Sequence, residues 1–303
     1  MHQSGIKKII FSEFEEVIIK DTNTKFIRQE KNTVPIHWDL MGMDQNNEAL
    51  IKAIKDKVLW HPFDPNKDIN FLYEDTEDMI RGQFGQPFHV EELLKNHSIW
   101  ESIKQGFYIE AGAAGGELYS NSLYFEIKYN WTGLLVEPSP TWWKELKNKN
   151  RNAWILPHCL STQRSVHLID FFSFSDSDIT DFGFWGRNEM DDEFYRDMKS
   201  KHPNDINKIK VQCFPLHAVL KAINSPKVTY FSLDIEGAEY DVLKTLDFDK
   251  IDISLLGVEI QGMLPDDVLR KNTGSKEQIH NLLKQNGYIY TDRVELDSFF
   301  LKE

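Results

Sequence analysis

The chain predicts an α/β fold, a mostly parallel sheet with helices on both faces in the Rossmann-like manner. Three observations carry this reading. From Phe107 onward, short apolar runs alternate with stretches of helical period. Several of those runs end in a glycine-rich turn or an acidic residue, as strands do where an open sheet binds a ligand. The 303 residues suffice for one large domain of this kind plus an N-terminal extension.

Taken in order, residues 1 to about 35 mix short apolar and polar runs, and 17–19 reads equally as strand or short helix. Leu50, Ile51, Ile54, Val58 and Leu59 recur at helical spacing over 47–60, and His61-Pro62 stops that helix. Residues 62–88 contain Gly, Pro and Asp and read as loop. Val90, Leu93, Leu94, Trp100 and Ile103 put a helix over 90–103, with His97 interrupting its apolar side and Gly106 ending it. Strands follow over 107–111, 132–137, 153–156, 166–172, 228–233 and 253–259. Helices fall over 118–129, 140–148, 240–246 and 275–285, the last stopped by Asn286-Gly287. The runs 288–290 and 296–300 form a closing hairpin. Residues 173–210 read as an insertion, in which Phe182, Phe184 and Trp185 alternate with Gly183 and Gly186. That pattern suits a flap over the site or a static loop packed by its rings. The division is thus a partly helical extension over 1–104 and the sheet domain over 105–303.

Composition narrows the partners. Hydrophobic residues at 41% and charged residues at 27% describe a folded chain. Lys and Arg number 35 against 48 acidic residues, a formal charge of -13, which repels phosphate backbones and argues against nucleic acid. The densest basic stretch, Lys144, Lys147, Lys149 and Arg151, reads as a solvated helix face. The two cysteines, Cys159 and Cys213, do not make a disulfide scaffold in so large a chain and read as free thiols of a reducing compartment, with cytoplasm as the default. The apolar run 9–11 is too short for a signal peptide or an integral membrane segment. The oligomeric state is not legible.

The sharpest signal is the turn from Glu110 through Gly112 to Gly116, between a strand and a helix. Glycines there let the backbone turn tightly and approach a ligand. Glu137 ends the next strand, where a carboxylate can accept both ribose hydroxyls of an adenosine. The turn lacks GxGxxG spacing, and Glu110 would repel a pyrophosphate. S-adenosylmethionine carries cations and no phosphate, so the chemistry favours it over a nicotinamide dinucleotide.

The runs FYIEAGAAGGELYSNSLYFE, NWTGLLVEPSPTWWKELKNKNRNAW, CLS and FSLDIEGAEYDVLK resemble the FkbM-type methyltransferases over about 105–290, most closely a branch of animal Star-like proteins. The resemblance implies a class I methyltransferase fold, with S-adenosylmethionine bound at Glu110, Gly112, Gly116, Glu137 and Pro138. It implies that Cys159, Leu160 and Ser161 lie against the adenine. Ser120 and Asn121 either bond the cofactor's carboxylate or cap the helix. One departure stands out. The branch reads G-A-x-D-G, and Gly115 occupies the aspartate position, which removes a polar contact near the methionine or the acceptor. A binding or regulatory module that transfers nothing is the competing expectation.

Asp234, Glu236 and Glu239 follow the strand over 228–233, and the family carries the same three acids. Asp234 either takes the acceptor's proton or holds the methionine ammonium, with Glu236 orienting it. A bare helix N-terminus favoured by acids is the structural alternative. Glu259 ends the next strand and faces the same cleft, and like-charge repulsion from Glu110, Glu236 and Glu259 should raise the proton affinity of Asp234. Three carboxylates suit a divalent cation, though hydrogen-bonded carboxylates are the commoner outcome, so no metal is assigned. His158 and His217 read as structural. The expected acceptor is a small or lipid-like hydroxyl compound.

Overall fold

A computed structural model of the chain describes residues 35–72, 80–97, 105–174, 206–260 and 276–303, with the shorter pieces 17–20, 26–29, 186–187, 196 and 199–200. Strands β1 (Val17–Lys20) and β2 (Phe26–Gln29) pair antiparallel. Helix α1 (Glu48–Ala53) starts at Asn47, whose side chain accepts from the N–H groups of Ala49 and Leu50 at 2.9 and 3.2 Å, and runs on as a π-helical turn over Ile54–Val58. Helix α2 (Gln86–Asn96) begins earlier than its apolar period suggests, because Gly85 at φ 86° turns the chain and a proline occupies the first turn. The residues 98–104 expected at its end lie outside the described residues.

The main sheet contains β3 (Phe107–Ala111), β4 (Thr132–Val136) and β5 (Ala153–Leu156). A second sheet is built from β6 (Cys159–Leu160), β7 (His167–Phe174), β8 (Gly186–Arg187) and β9 (Ile206–Phe214). The main sheet resumes with β10 (Val228–Leu233), β11 (Ile253–Glu259), β12 (Tyr288–Val294) and β13 (Asp297–Lys302). Helices α3 (Leu123–Tyr129), α4 (Pro140–Asn148), α5 (Leu216–Ala222), α6 (Glu239–Leu243) and α7 (Lys276–Gln285) complete the set used below.

The main sheet runs in the order β12-β13-β11-β10-β3-β4-β5. The five strands from β11 to β5 are parallel, and β13 lies antiparallel to both its neighbours. Both central runs, VTYFSL and ISLLGVE, are buried along their whole length, as strands covered on two faces must be. Alternate residues feed two cores. Ile109, Leu134, Phe231 and Leu256 pack on one face with Leu50, Ile54 and Val58 of the N-terminal region. Tyr108, Leu135, Tyr230 and Leu255 pack on the other with Val90 and Leu94 of α2. The hydrophobic core therefore continues across the expected boundary at 104.

Four expectations need correction. The helix expected over 118–129 starts only at Leu123, because the residues before it are held in an irregular turn by Glu110. Lys149 and Arg151 are not on a solvated face: each is about 1% exposed and paired with buried glutamates, while Lys144 and Lys147 are exposed. The insertion is not all loop, since β9 enters it and pairs with β7 along its length. Its aromatic stretch 182–185 lies outside the described residues. Finally, Cys159 and Cys213 are not free thiols. They face each other in the β6–β9 register with Cα atoms 4.4 Å apart and form a disulfide.

Candidate cofactor and acceptor site

A cavity of about 470 Å³ opens beyond the C-terminal ends of β3, β4, β10 and β11. This is where the strand order departs in opposite directions from the β3–β10 pair, the usual ligand crevice of an open parallel sheet. Its wall brings together Glu110, Gly112, Ser120, Asn121, Glu137, Pro138, Cys159, Leu160, Asp234, Glu236 and Glu259. Gly116 and Ser161 are not on that wall. Gly116, at φ 77°, gives its carbonyl to Arg151 Nη1, and a side chain there would meet Leu146. The Ser161 hydroxyl turns to the carbonyls of Gln163 and Ser165 at 2.7 and 2.8 Å.

Glu110 builds the turn that frames the cavity. Its Oε1 accepts from the N–H of Asn121 at 2.7 Å, and its Oε2 from the hydroxyls of Ser120 and Ser122 at 2.8 and 2.5 Å. Asn121 in turn donates to the Ser232 hydroxyl on β10 at 3.1 Å. Beneath lies Arg151, which donates to Glu126 at 2.7 Å and to Ser122 at 2.9 Å. A buried charge is tolerable only when its hydrogen bonds are met, and this one is answered on every side. The turn stays close to β10 because Gly112, at φ 90°, lies against the Asp234 carbonyl where any side chain would collide. Gly115 is off the wall. A side chain there would run into the Glu145 carboxylate on α4, so this position faces away from the cavity.

Glu137 is buried at the end of β4. Its oxygens accept from the N–H groups of Ala114 and Ser139 at 2.8 and 2.7 Å. Burial pushes its carboxyl up to about 7, against the pull of those two hydrogen bonds.

The other end of the cavity is acidic. Oxygens of Asp234, Glu239 and Glu259 lie within 4.8 Å of one another. Glu239, not Glu236, is the third member of this group, and its Oε1 accepts from the N–H groups of Ile235 and Gly237 at 2.9 and 3.0 Å. Burial raises the proton affinity of Asp234 first, and Glu236 raises it further. The sequence-based expectation put repulsion foremost and included Glu110, so desolvation is the larger cause. Burial likewise lifts Glu259, and the neighbouring Asp234 lifts it further. Asp234 Oδ1 is buried with no hydrogen-bond partner. Glu236 at φ 58° and Gly237 at φ 113° hold the strained turn that presents these groups.

Among the wall residues that sequence reasoning missed, Asp297, Gln86 and Gln83 stand beside the carboxylates. Asp297 opens β13 directly across from Glu259, and burial pushes it up to about 6. Gln86, at the start of α2, donates its Nε2 to Asp297 at 2.9 Å while its Oε1 accepts from the Phe84 N–H at 2.7 Å. Gln83 joins them on the wall. No motif marks these positions, and only the pairing of β11 with β13 brings Asp297 to the site. His158 is buried against Phe214, off the wall, and burial lowers it to about 3, which suits a structural residue.

A parallel α/β sheet with a cavity at its strand ends, a buried carboxylate after β4 and further carboxylates after β10 and at the end of β11 is what this fold and site define. The model of the methyltransferase FkbM domain matches residues 110–290, and the chain belongs to that family. It is an S-adenosylmethionine-dependent methyltransferase, and S-adenosylmethionine is its cofactor. No curated protein matches the chain. Among solved structures it is similar to magnesium protoporphyrin IX methyltransferase from Synechocystis PCC 6803 with bound SAH, at 11% identity over 78% of this chain and 90% of that one, TM-score 0.35. It is also similar to phosphoethanolamine N-methyltransferase 2 from Haemonchus contortus in complex with S-adenosyl-L-methionine, at 9% identity over 87% and 46%, TM-score 0.34. A mitomycin 7-O-methyltransferase aligns at 7% identity over 72% of this chain and 54% of its own, TM-score 0.30. Among the described residues no helix is long and apolar enough to cross a membrane.

Proposed function

We propose that the enzyme methylates a hydroxyl group of a small or lipid-like acceptor. The observation that carries this reading is the Asp234–Glu259 pair at the strand ends, whose raised proton affinity suits removal of a hydroxyl proton. Asp297, across from Glu259, and Gln86 and Gln83 from the N-terminal region supply polar groups for the acceptor beside them. The residues fit the cofactor: the cavity offers a buried carboxylate at Glu137 and an orphaned oxygen at Asp234, and among the described residues no lysine or arginine lines it to select a phosphate. Glu137 would hold the ribose, Gly112 and Pro138 its surroundings, Cys159 and Leu160 the adenine, and Asn121 with Ser120 the methionine end. Glu110 acts through that turn by fixing residues 120–122. When bound, the cofactor supplies the methyl group. Asp234 accepts the proton, and Glu236 holds the turn that carries it. Gly115, which motivated a non-catalytic reading, takes nothing from the cavity wall. Within the family, the quoted motif runs support a Star-like branch. The disulfide supports an oxidising compartment over the cytoplasm expected from sequence.

The reading is tested by methyl transfer from S-adenosylmethionine to matched panels of alcohols and amines. Transfer to hydroxyl compounds alone is the expected result, and transfer to amines alone overturns it. For the cofactor end, Glu137→Ala is expected to weaken binding of S-adenosylhomocysteine by about 1–3 kcal/mol by calorimetry. Because Glu137 sits at about 7, the wild type should lose affinity as pH falls below that value, where the carboxyl is protonated and accepts hydrogen bonds poorly. A pH-independent affinity in a folded protein removes Glu137 from the ribose.

A further inference from the structure

The Cys159–Cys213 bond stands in the wall of the cofactor cavity, and methyl transfer makes no use of it. Strand β6 has only two residues, Cys159 and Leu160, and both line the cavity. Its backbone attachment to β9 is brief: Cys159 faces Cys213, Leu160 faces Phe214, and the Ser161 N–H donates to the Phe214 carbonyl at 2.9 Å. Strand β9 lies between β6 and β7, and β7 contributes His167, Ile169 and Phe171 to the same wall. The disulfide is thus the covalent fastening between the short strand that follows β5 and the sheet that closes this side of the cavity. Both cysteines line the cavity, and Cys159, at 8% exposed against 1% for Cys213, is the more accessible end of the bond.

We propose that this disulfide is a reducible clasp on the cofactor cavity: a small dithiol opens it through the cavity, and bound cofactor shields it. In the reaction a thiolate of the dithiol attacks Sγ of Cys159. The S–S bond breaks, and its electron pair leaves on Sγ of Cys213. The second thiol of the reductant then attacks the mixed disulfide, releasing Cys159 as a thiolate. The reductant departs as a cyclic disulfide, having given up two electrons, and both cysteine sulfurs take up protons from solvent. Linkage makes the effect reciprocal. A ligand that binds better to the clasped wall resists its reduction, and reduction weakens that ligand by the same factor.

The test uses the full chain, dithiothreitol and S-adenosylhomocysteine. Reduction is expected to raise the dissociation constant of S-adenosylhomocysteine by about five-fold or more, measured by calorimetry on protein whose circular dichroism is unchanged. Saturating S-adenosylhomocysteine is expected to slow the appearance of the two thiols under dithiothreitol. Reoxidation should restore affinity, which separates clasp opening from irreversible damage. The variant Cys159→Ser with Cys213→Ser should bind like the reduced protein and ignore dithiothreitol. Equal affinity of the oxidised and reduced chains overturns the proposal, as does thiol release at the same rate with and without S-adenosylhomocysteine.

Discussion

Asp234→Asn is expected to lower turnover by about 10²-fold or more while leaving the fold and most cofactor affinity in place, the loss that follows removal of a general base. An ordinary carboxylate is too weak a base for an alcohol. Asp234 differs because burial and Glu236 raise its proton affinity well above the usual range. The sign follows for pH. The base must be unprotonated, so wild-type turnover should rise with pH through a value above the ordinary carboxylate range, and that limb should vanish in the variant. The asparagine keeps the volume of the side chain but accepts no proton. Single-turnover rates at saturating S-adenosylmethionine, with affinity for S-adenosylhomocysteine measured alongside, separate the two roles left open by the sequence. Lost affinity with intact turnover would assign Asp234 to the methionine ammonium. Near-normal turnover in both respects would leave it without a catalytic role.

Arg151→Met should destabilise the fold by about 3–5 kcal/mol, the cost of leaving a buried charge without its partner. Arg151 is fully buried and donates to Glu126, Tyr108, Ser120, Ser122 and the Gly116 carbonyl. The methionine fills much of the volume but leaves buried Glu126 without its cationic partner, held only by the Tyr108 hydroxyl and the Asn152 N–H. Urea unfolding of the two proteins measures the difference. The serines also bond Glu110, so the damage should reach the cofactor turn, and S-adenosylhomocysteine affinity should fall in the same variant. A loss within about 1 kcal/mol would class the network with exposed ion pairs, which contribute that little.

Strands β3, β5, β10 and β11 fall where the sequence puts them because they are largely buried and so read as short apolar runs. That Glu110, Glu137 and Asp234 line one cavity was legible because strand ends in such a sheet face one crevice. What failed was whatever depends on distant partners. The start of α3 is displaced because Ser120 and Ser122 bond Glu110 instead of continuing a helix. Lys149 and Arg151 look like surface charges until Glu117 and Glu126 are seen buried beside them. Cys159 lies in the CLS run and Cys213 in none of the quoted runs, and only the pairing of β6 with β9 puts them opposite each other. Gln86 and Asp297 are 211 residues apart, one in a stretch of the N-terminal extension read as loop and the other in the closing hairpin.

The placement of β13 has a consequence for folding during synthesis. Residues 297–302 do not add an outer strand: they insert between β11 and β12, joining two antiparallel partners at once. Until they leave the ribosome, β11 has an open edge and a long run of apolar residues beside it, and the cavity lacks Asp297. Domains assemble as their segments emerge, and unpaired strand edges in the meantime invite association between nascent chains. Completion of the sheet and completion of the acidic end of the cavity are therefore one late event, so a chain stalled before residue 297 has neither.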